Sequence, residues 1–411
     1  MRITREFIEK LPKSDLHVHL DGSIRLETLI DLARQQNVEL PSYTTEGLRE
    51  LVFKDKYQNL GEYLAGFGYT TRVLQNAEAL ERVAYELAED YAGEGIRYIE
   101  IRFAPQLHVH QNLYMEHVLD AVNRGLSGFA SRFNRQERIV SGAEPAFRFG
   151  IICCAMRMFN AKFSAYYDKF SSVHHFSPQK RVLRLASEEL AMAAVKIRDD
   201  MGLPIVGFDL AGQESGYPAE DHRSAYHYAH RNFLKKTVHA GEAYGPESIF
   251  QAITDLYADR IGHGFHLYST DIIANPAITD KEAYVRKLAN FIADRRITLE
   301  VCLTSNMQTM PELKRLEDHA LKKFLEHNLS ISLCTDNRTV SNTSITQEIE
   351  LAVKHFNVDL KRLKNILIYG FKRSFFPGSY TEKREYVRQI IDYYEFLERQ
   401  ERERQGTFQA E

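Results

Sequence analysis

Apolar, β-branched runs of strand length recur along the chain at Asp15–Leu20, Ile96–Phe103, Phe147–Cys154, Ile205–Leu210, Thr237–Val238, Arg260–Phe265, Ile297–Leu303 and Leu329–Cys334. Between most of them the apolar positions change to three- and four-residue spacing, which predicts helices over Ala77–Gly93, Pro178–Met201, Tyr217–Leu234, Gly245–Tyr257 and Asp280–Arg295. Alternation of strand and helix predicts parallel βαβ units, and eight of them predict a closed (β/α)8 barrel of the α/β class rather than an open sheet. The polar clusters fall where the runs end: His17 and His19, Arg157, Asp209 and Glu214, His239 and Glu242, His263, Ser305 and Asn306, Asp336 and Asn337. Barrels of this kind carry their functional groups at that end of the strands.

No internal repeat, low-complexity tract or Pro/Ser-rich linker marks a boundary, so one domain is expected over 1–411. Its last part, 381–405, has the charge and spacing of a packing helix and leads into a solvated, polar tail. Helical insertions are expected after the first, second and third strands.

Composition narrows the partners. With 44% hydrophobic residues among 411, the chain can bury a large core, and a net charge of −3 gives no electrostatic case for nucleic acid or an anionic membrane. A neutral small molecule fits better. The first ten residues include acids and no apolar core, and no stretch approaches the ~20 apolar residues needed to span a bilayer, which predicts a cytoplasmic protein. The four cysteines, Cys153, Cys154, Cys302 and Cys334, sit in or beside apolar runs without Cys-x-x-Cys spacing and are read as reduced core residues.

The candidate chemistry starts at His17-Val-His19. Residues two apart on a strand share a face roughly 6.6 Å apart, so both imidazoles can converge on one metal ion. An isolated His-x-His is more often a surface or core pair. Three later segments, His239-Ala-Gly-Glu242, Ile261-Gly-His263-Gly264 and Thr335-Asp336-Asn337, shift the balance, because each follows an apolar run and supplies metal ligands or proton carriers. The His-x-Glu and Pro-Cys-x-x-Cys elements of the cytidine-type deaminases are absent, as is a protease-type His-Glu-x-x-His.

Taken in order, Asp15–Gly22, Cys153–Arg157, Phe208–Glu214, His239–Glu242, Arg260–His266, Glu300–Asn306 and Ser332–Asn337 resemble the landmarks of the adenosine deaminase family of metal-dependent purine deaminases. The resemblance implies one Zn²⁺ held by His17, His19, His239 and Asp336, a set that suits borderline-soft zinc with an open position for water. It implies that Glu242 donates a proton to the purine ring, that His263 orients the attacking water and takes its proton, and that Asp336 accepts a further hydrogen bond from that water. For the substrate it implies contacts from His19, from the Gly212 backbone to the six-membered ring, from Asp21 to a ribose hydroxyl and from Asn337 to the five-membered ring. Tyr63 and Phe67 match the family's apolar lid. Arg157 is expected to form ion pairs, Asp209 and Glu214 to shape the surrounding loops, and His266 to be structural.

The implied reaction is deamination of adenosine and 2′-deoxyadenosine to the 6-oxo product, with a nucleoside preferred over a nucleotide because Asp21 repels a 5′-phosphate. Three features depart from the family pattern: Asn337 in place of a second Asp, Leu303 in place of Pro, and extra length at Gln106–Pro145 and Asn160–Gln179, expected on the catalytic face. These leave open a deaminase for a 5′-modified adenosine of the methylthioadenosine or aminofutalosine type. A second alternative is a nucleoside-binding or interaction protein without turnover. A homo-oligomer is compatible with the inserted segments.

Overall fold

The computed structural model describes residues 1–58 and 60–407. Eight strands, β1 (Lys13–His19), β2 (Ile96–Phe103), β3 (Arg148–Met156), β4 (Ile205–Ala211), β5 (Lys235–Ala240), β6 (Arg260–His263), β7 (Thr298–Val301) and β8 (Ile331–Leu333), lie in sequence order, each parallel to the next. The ring closes beyond the end of β8. There the Asp336 N–H donates to the His17 carbonyl at 2.8 Å and the His19 N–H donates to the Asp336 carbonyl at 2.8 Å. All eight expected strands are present, with ends shifted by a few residues.

Helices coat the outside as their periodicity predicts. Ala77–Gly93 has the expected bounds, and its buried face is Leu80, Val83, Ala84, Leu87, Ala88 and Tyr91. The helix expected over Tyr217–Leu234 is shorter: Pro218 precedes a 3₁₀ turn at Ala219–His222, and the α-helix proper is Arg223–Arg231. The C-terminal helix runs Tyr380–Thr407, and Tyr386 Oη donates to the carbonyls of Arg97 and Ala146, sealing the amino ends of β2 and β3. The expected polar tail falls at 408–411, outside the described residues.

The insertions divide into two kinds. After β1, helices Leu26–Gln35, Thr45–Leu51, Leu60–Ala65 and Phe67–Val73 precede the first outer helix, and Tyr63 from this group reaches the barrel mouth. After β3, helix Ala165–Val173 packs its Tyr167 with Phe159 and Leu107, against the short turn Pro105–Leu107. Gln106–Pro145, expected on the catalytic face, is instead mostly an outer-ring element. Its helix Met115–Asn134 buries Val118, Leu119, Val122, Leu126, Phe129 and Phe133 in the main core. It lies so close to Ala77–Gly93 that a Cβ at Gly125 would sit 2.2 Å from the Glu81 carbonyl oxygen.

The barrel interior is ionic beneath the mouth. Arg102 donates to Asp209 and Glu300, both at 2.8 Å; Arg260 donates to Glu300 at 2.6 Å and also pairs with Glu100; all five are at most 1% exposed. Burial opposes the Glu300 charge, but Arg102 and Arg260 outweigh it and hold the carboxyl well below the usual range. Removing one partner strands an uncompensated buried charge. Arg260→Met is therefore expected to lower stability by about 3–5 kcal/mol in urea unfolding; a loss under about 1 kcal/mol would show that the network does not depend on this arginine.

Candidate metal centre and catalytic mouth

His17 and His19 end β1, His239 lies near the end of β5, and Asp336 follows β8, so strand ends from three parts of the sequence present four donors together. One atom from each lies within 4.8 Å of the others. His19 Nε2 is 3.2 Å from His239 Nε2, and Asp336 Oδ1 is 3.4 Å from both His17 Nε2 and His19 Nε2.

The hydrogen bonds on the far side of the rings fit a cation. His17 Nδ1 is 2.9 Å from Glu300 Oε2 and His239 Nδ1 is 3.2 Å from Asp209 Oδ1. Carboxylates accept, so each Nδ1 carries the proton and each Nε2 turns a lone pair inward. His17 Nε2 is buried and has no hydrogen-bond partner among the described residues. Inward-facing lone pairs beside a carboxylate favour a divalent cation. Asp336 is oriented by Ser305 Oγ, which donates to its Oδ2 at 2.6 Å. Its φ of 60° places it in the left-handed region, as does the 62° of His263.

Glu242 sits on the turn after β5, and one buried carboxylate holds that turn. Glu214 accepts from the backbone N–H groups of Gly241 (3.0 Å), Glu242 (3.0 Å), Ala243 (2.6 Å) and Tyr244 (3.0 Å), and from the Ser248 hydroxyl. Burial pushes the Glu242 carboxyl up to about 8, and the charges of Asp336 and Glu214 add to the shift. A cavity of about 230 Å³ lined by Glu242, Ala243, His266, Thr309, Met310 and Glu312 adjoins it. His263 Nε2 is 3.8 Å from Glu242 Oε1, and burial holds the His263 imidazole neutral. Arg157 donates to the Tyr217 carbonyl at 2.8 Å and to the His239 carbonyl, so it braces the β5 end.

The expected substrate contacts reach the mouth from separate loops. Asp21 is 4% exposed, its Oδ1 has no partner among the described residues, and burial pushes its carboxyl up to about 7. Gly212 follows β4 with φ 98°, a conformation glycine adopts without strain. Asn337 Nδ2 donates to Tyr63 Oη at 2.7 Å, and its Oδ1 lies where a Cβ on Gly22 would come within 1.8 Å, which explains the glycine. Phe67 packs on Tyr63 with ring centroids 6.3 Å apart. Tyr63 is more than apolar lid: its hydroxyl also bonds Ser341 Oγ at 2.8 Å and lies 3.4 Å from Asp336 Oδ2. A tyrosine in an otherwise apolar stripe was the available signal. His319 and Ser341 were not singled out from the sequence; no spacing ties either to the site.

The family model for adenosine deaminase matches residues 12–173 and 180–393. The chain belongs to the adenosine deaminase family. Among curated family members it is 35% identical to adenosine deaminase of Mycobacterium marinum over 391 residues, 94% of this chain and 96% of that protein. It is likewise 35% identical to adenosine deaminase of a Mycobacterium species, strain KMS, over 91% of this chain and 93% of that protein. Among solved structures the fold is similar to a Burkholderia ambifaria amidohydrolase crystallised with bound Zn (TM-score 0.74, 20% identity, 97% of this chain and 96% of that one). It also resembles Arabidopsis N6-mAMP deaminase (TM-score 0.70, 24% identity, 94% and 99%). No helix among the described residues is long and apolar enough to cross a membrane.

Outer partners of metal-binding imidazoles tune affinity, so Asp209→Asn is expected to weaken metal binding about 10–100-fold with the fold retained. Competition against a chelator of known affinity checks this; unchanged affinity would show that the Asp209 carboxylate does not act through His239.

Proposed function

We propose that this chain is a zinc-dependent deaminase that hydrolyses adenosine and 2′-deoxyadenosine to their 6-oxo products and ammonia. The observation that carries the reading is the convergence of three inward-facing imidazole nitrogens and Asp336 with a buried carboxyl, Glu242, across from His263. A metal site alone serves many roles, whereas a proton donor beside it has no use in a protein that only binds.

His17, His19, His239 and Asp336 would hold the zinc ion, which would supply a water acidified to near neutrality. The purine C6 is a poor electrophile until the adjacent ring nitrogen is protonated. Glu242, kept protonated by its surroundings, delivers that proton as the water oxygen bonds to C6. The proton the water gives up passes to the amino nitrogen, the bond from C6 to that nitrogen breaks, and ammonia leaves as the remaining hydroxyl proton returns to Glu242. His263 and Asp336 flank the attacking water, while Gly212, Asn337 and Asp21 hold the six-membered ring, the five-membered ring and the ribose, under a cover of Tyr63 and Phe67.

The substrate class rests on two supports. Family members about one-third identical over nearly their whole length are named adenosine deaminase, and Asp21, the expected ribose contact, carries a carboxyl whose ionised form would repel a 5′-phosphate. Loss of the adenosine ultraviolet band on the zinc-loaded protein tests the reading, run beside AMP and a 5′-methylthio analogue. Rapid turnover of adenosine and none of AMP is expected. Turnover of the methylthio analogue alone would move the specificity to the 160–179 segment, and silence on all three would overturn the reading.

Glu242→Gln is expected to keep its zinc and its nucleoside affinity but lose about 10²–10⁴-fold in kcat, the usual worth of a positioned general acid. The acid works only while protonated, so wild-type kcat falls as pH rises through its ionisation. The residual rate of the Gln variant should lack that alkaline limb, and a limb preserved in both proteins would assign the titration to another group.

A further inference from the structure

A buried chain of side chains runs from His263 away from the metal centre. His263 Nδ1 lies 3.2 Å from Asn306 Nδ2, Asn306 Oδ1 lies 3.1 Å from His319 Nε2, and the Leu321 backbone N–H points at His319 Nδ1 from 2.9 Å. His263, Asn306 and His319 are each at most 1% exposed. The ring of His319 is flanked by Phe265 and Phe356, with centroids 5.0 and 6.4 Å away.

The direction of every bond in this chain follows from its last member. A backbone N–H only donates, so His319 Nδ1 holds a lone pair and its neutral ring carries the proton on Nε2. That proton is donated to Asn306 Oδ1. The Asn306 amide then turns its NH₂ toward His263, whose Nδ1 must accept. A neutral His263 with an accepting Nδ1 carries its proton on Nε2, the nitrogen facing Glu242 and the metal centre. Reversing the Asn306 amide would set its N–H against His319 Nε2–H or, with the His319 proton moved to Nδ1, that N–H against the Leu321 N–H. Either is a donor facing a donor among groups at most 1% exposed.

We infer that His319 is a positioning residue that, through Asn306, fixes His263 as the Nε2–H tautomer, so that His263 turns an N–H, not a lone pair, toward the attacking water. This rests on the deaminase reading above and revises one role in it. In that state His263 orients the water for attack on the purine C6 and neither gains nor loses a proton. A lone pair on His263 Nε2, which a general base needs, is denied by a backbone amide three hydrogen bonds away.

Nitrogen-15 NMR of zinc-loaded, histidine-labelled protein without substrate reads the tautomer, with the His263 signals assigned by their loss in His263→Gln. Wild type should show a protonated Nε2 and an unprotonated Nδ1. His319→Gln, which keeps a side-chain N–H for Asn306, should preserve that pattern and most of kcat. Asn306→Asp, whose carboxylate accepts from both histidines, should invert it, moving the proton to Nδ1. The inverted variant should retain zinc and keep KM within about threefold while losing about 10–100-fold in kcat, the scale of other partners that orient an active-site imidazole. A wild-type His263 with its proton on Nδ1, or an inverted tautomer with full kcat, overturns the inference. The tautomer is read without turnover, so absence of deamination would defeat the reading of function separately from this one.

Discussion

The mouth of the barrel depends on one carboxylate buried beneath it. Glu300, fully buried inside the barrel, shares one oxygen between His17 and Arg102 and the other between Thr237 and Arg260. A buried charge is tolerable only when each lone pair is met, and here the groups that meet it come from β1, β2, β5 and β6. The result orients the His17 ring and ties four strands to one point. Asp209 does the same for His239, taking the second arm of Arg102. The His17 and His239 rings are thus aimed from below by an ionic layer, not from the loops around them.

Above that layer the arrangement changes from ionic pairing to backbone control. Glu214 gathers four consecutive N–H groups of the turn carrying Glu242, and Glu348 accepts from the Leu303 and Thr304 N–H groups at the start of the helix bearing Ser305 and Asn306. Two carboxylates that touch no expected ligand of substrate or metal therefore place Glu242 on one side and the side chains that bond Asp336 and His263 on the other. Left-handed backbone at His263 and Asp336 turns both side chains inward where the strands end.

Much of this was legible in the sequence because strand length, β-branching and polar residues at run ends report directly on a parallel barrel. All eight strands and the four donors His17, His19, His239 and Asp336 could be located from local pattern and family landmarks. What escaped depends on contacts between distant segments. The Met115–Asn134 helix was misplaced because excess length does not reveal whether a segment caps the mouth or packs outside, a matter settled by its partner helix. The Tyr63 hydroxyl was hidden in an apolar stripe, and His319 lies in a loop whose meaning comes only from the amide of Leu321 and from Asn306.

The seam of the barrel has a kinetic meaning. His17, His19 and Asp336 are joined by backbone hydrogen bonds at the closure of β1 against the segment after β8, and beside them Asp15 binds Thr335, 320 positions away in the chain. Contacts of such separation are slow to form, since a long loop must close before they yield any stabilisation. A chain emerging from synthesis carries the first two histidines early but has no complete donor set until nearly all its strands are in place. A metal ion held by all four donors would therefore be captured only after the ring has shut, as a last clasp on a fold whose two ends have just met.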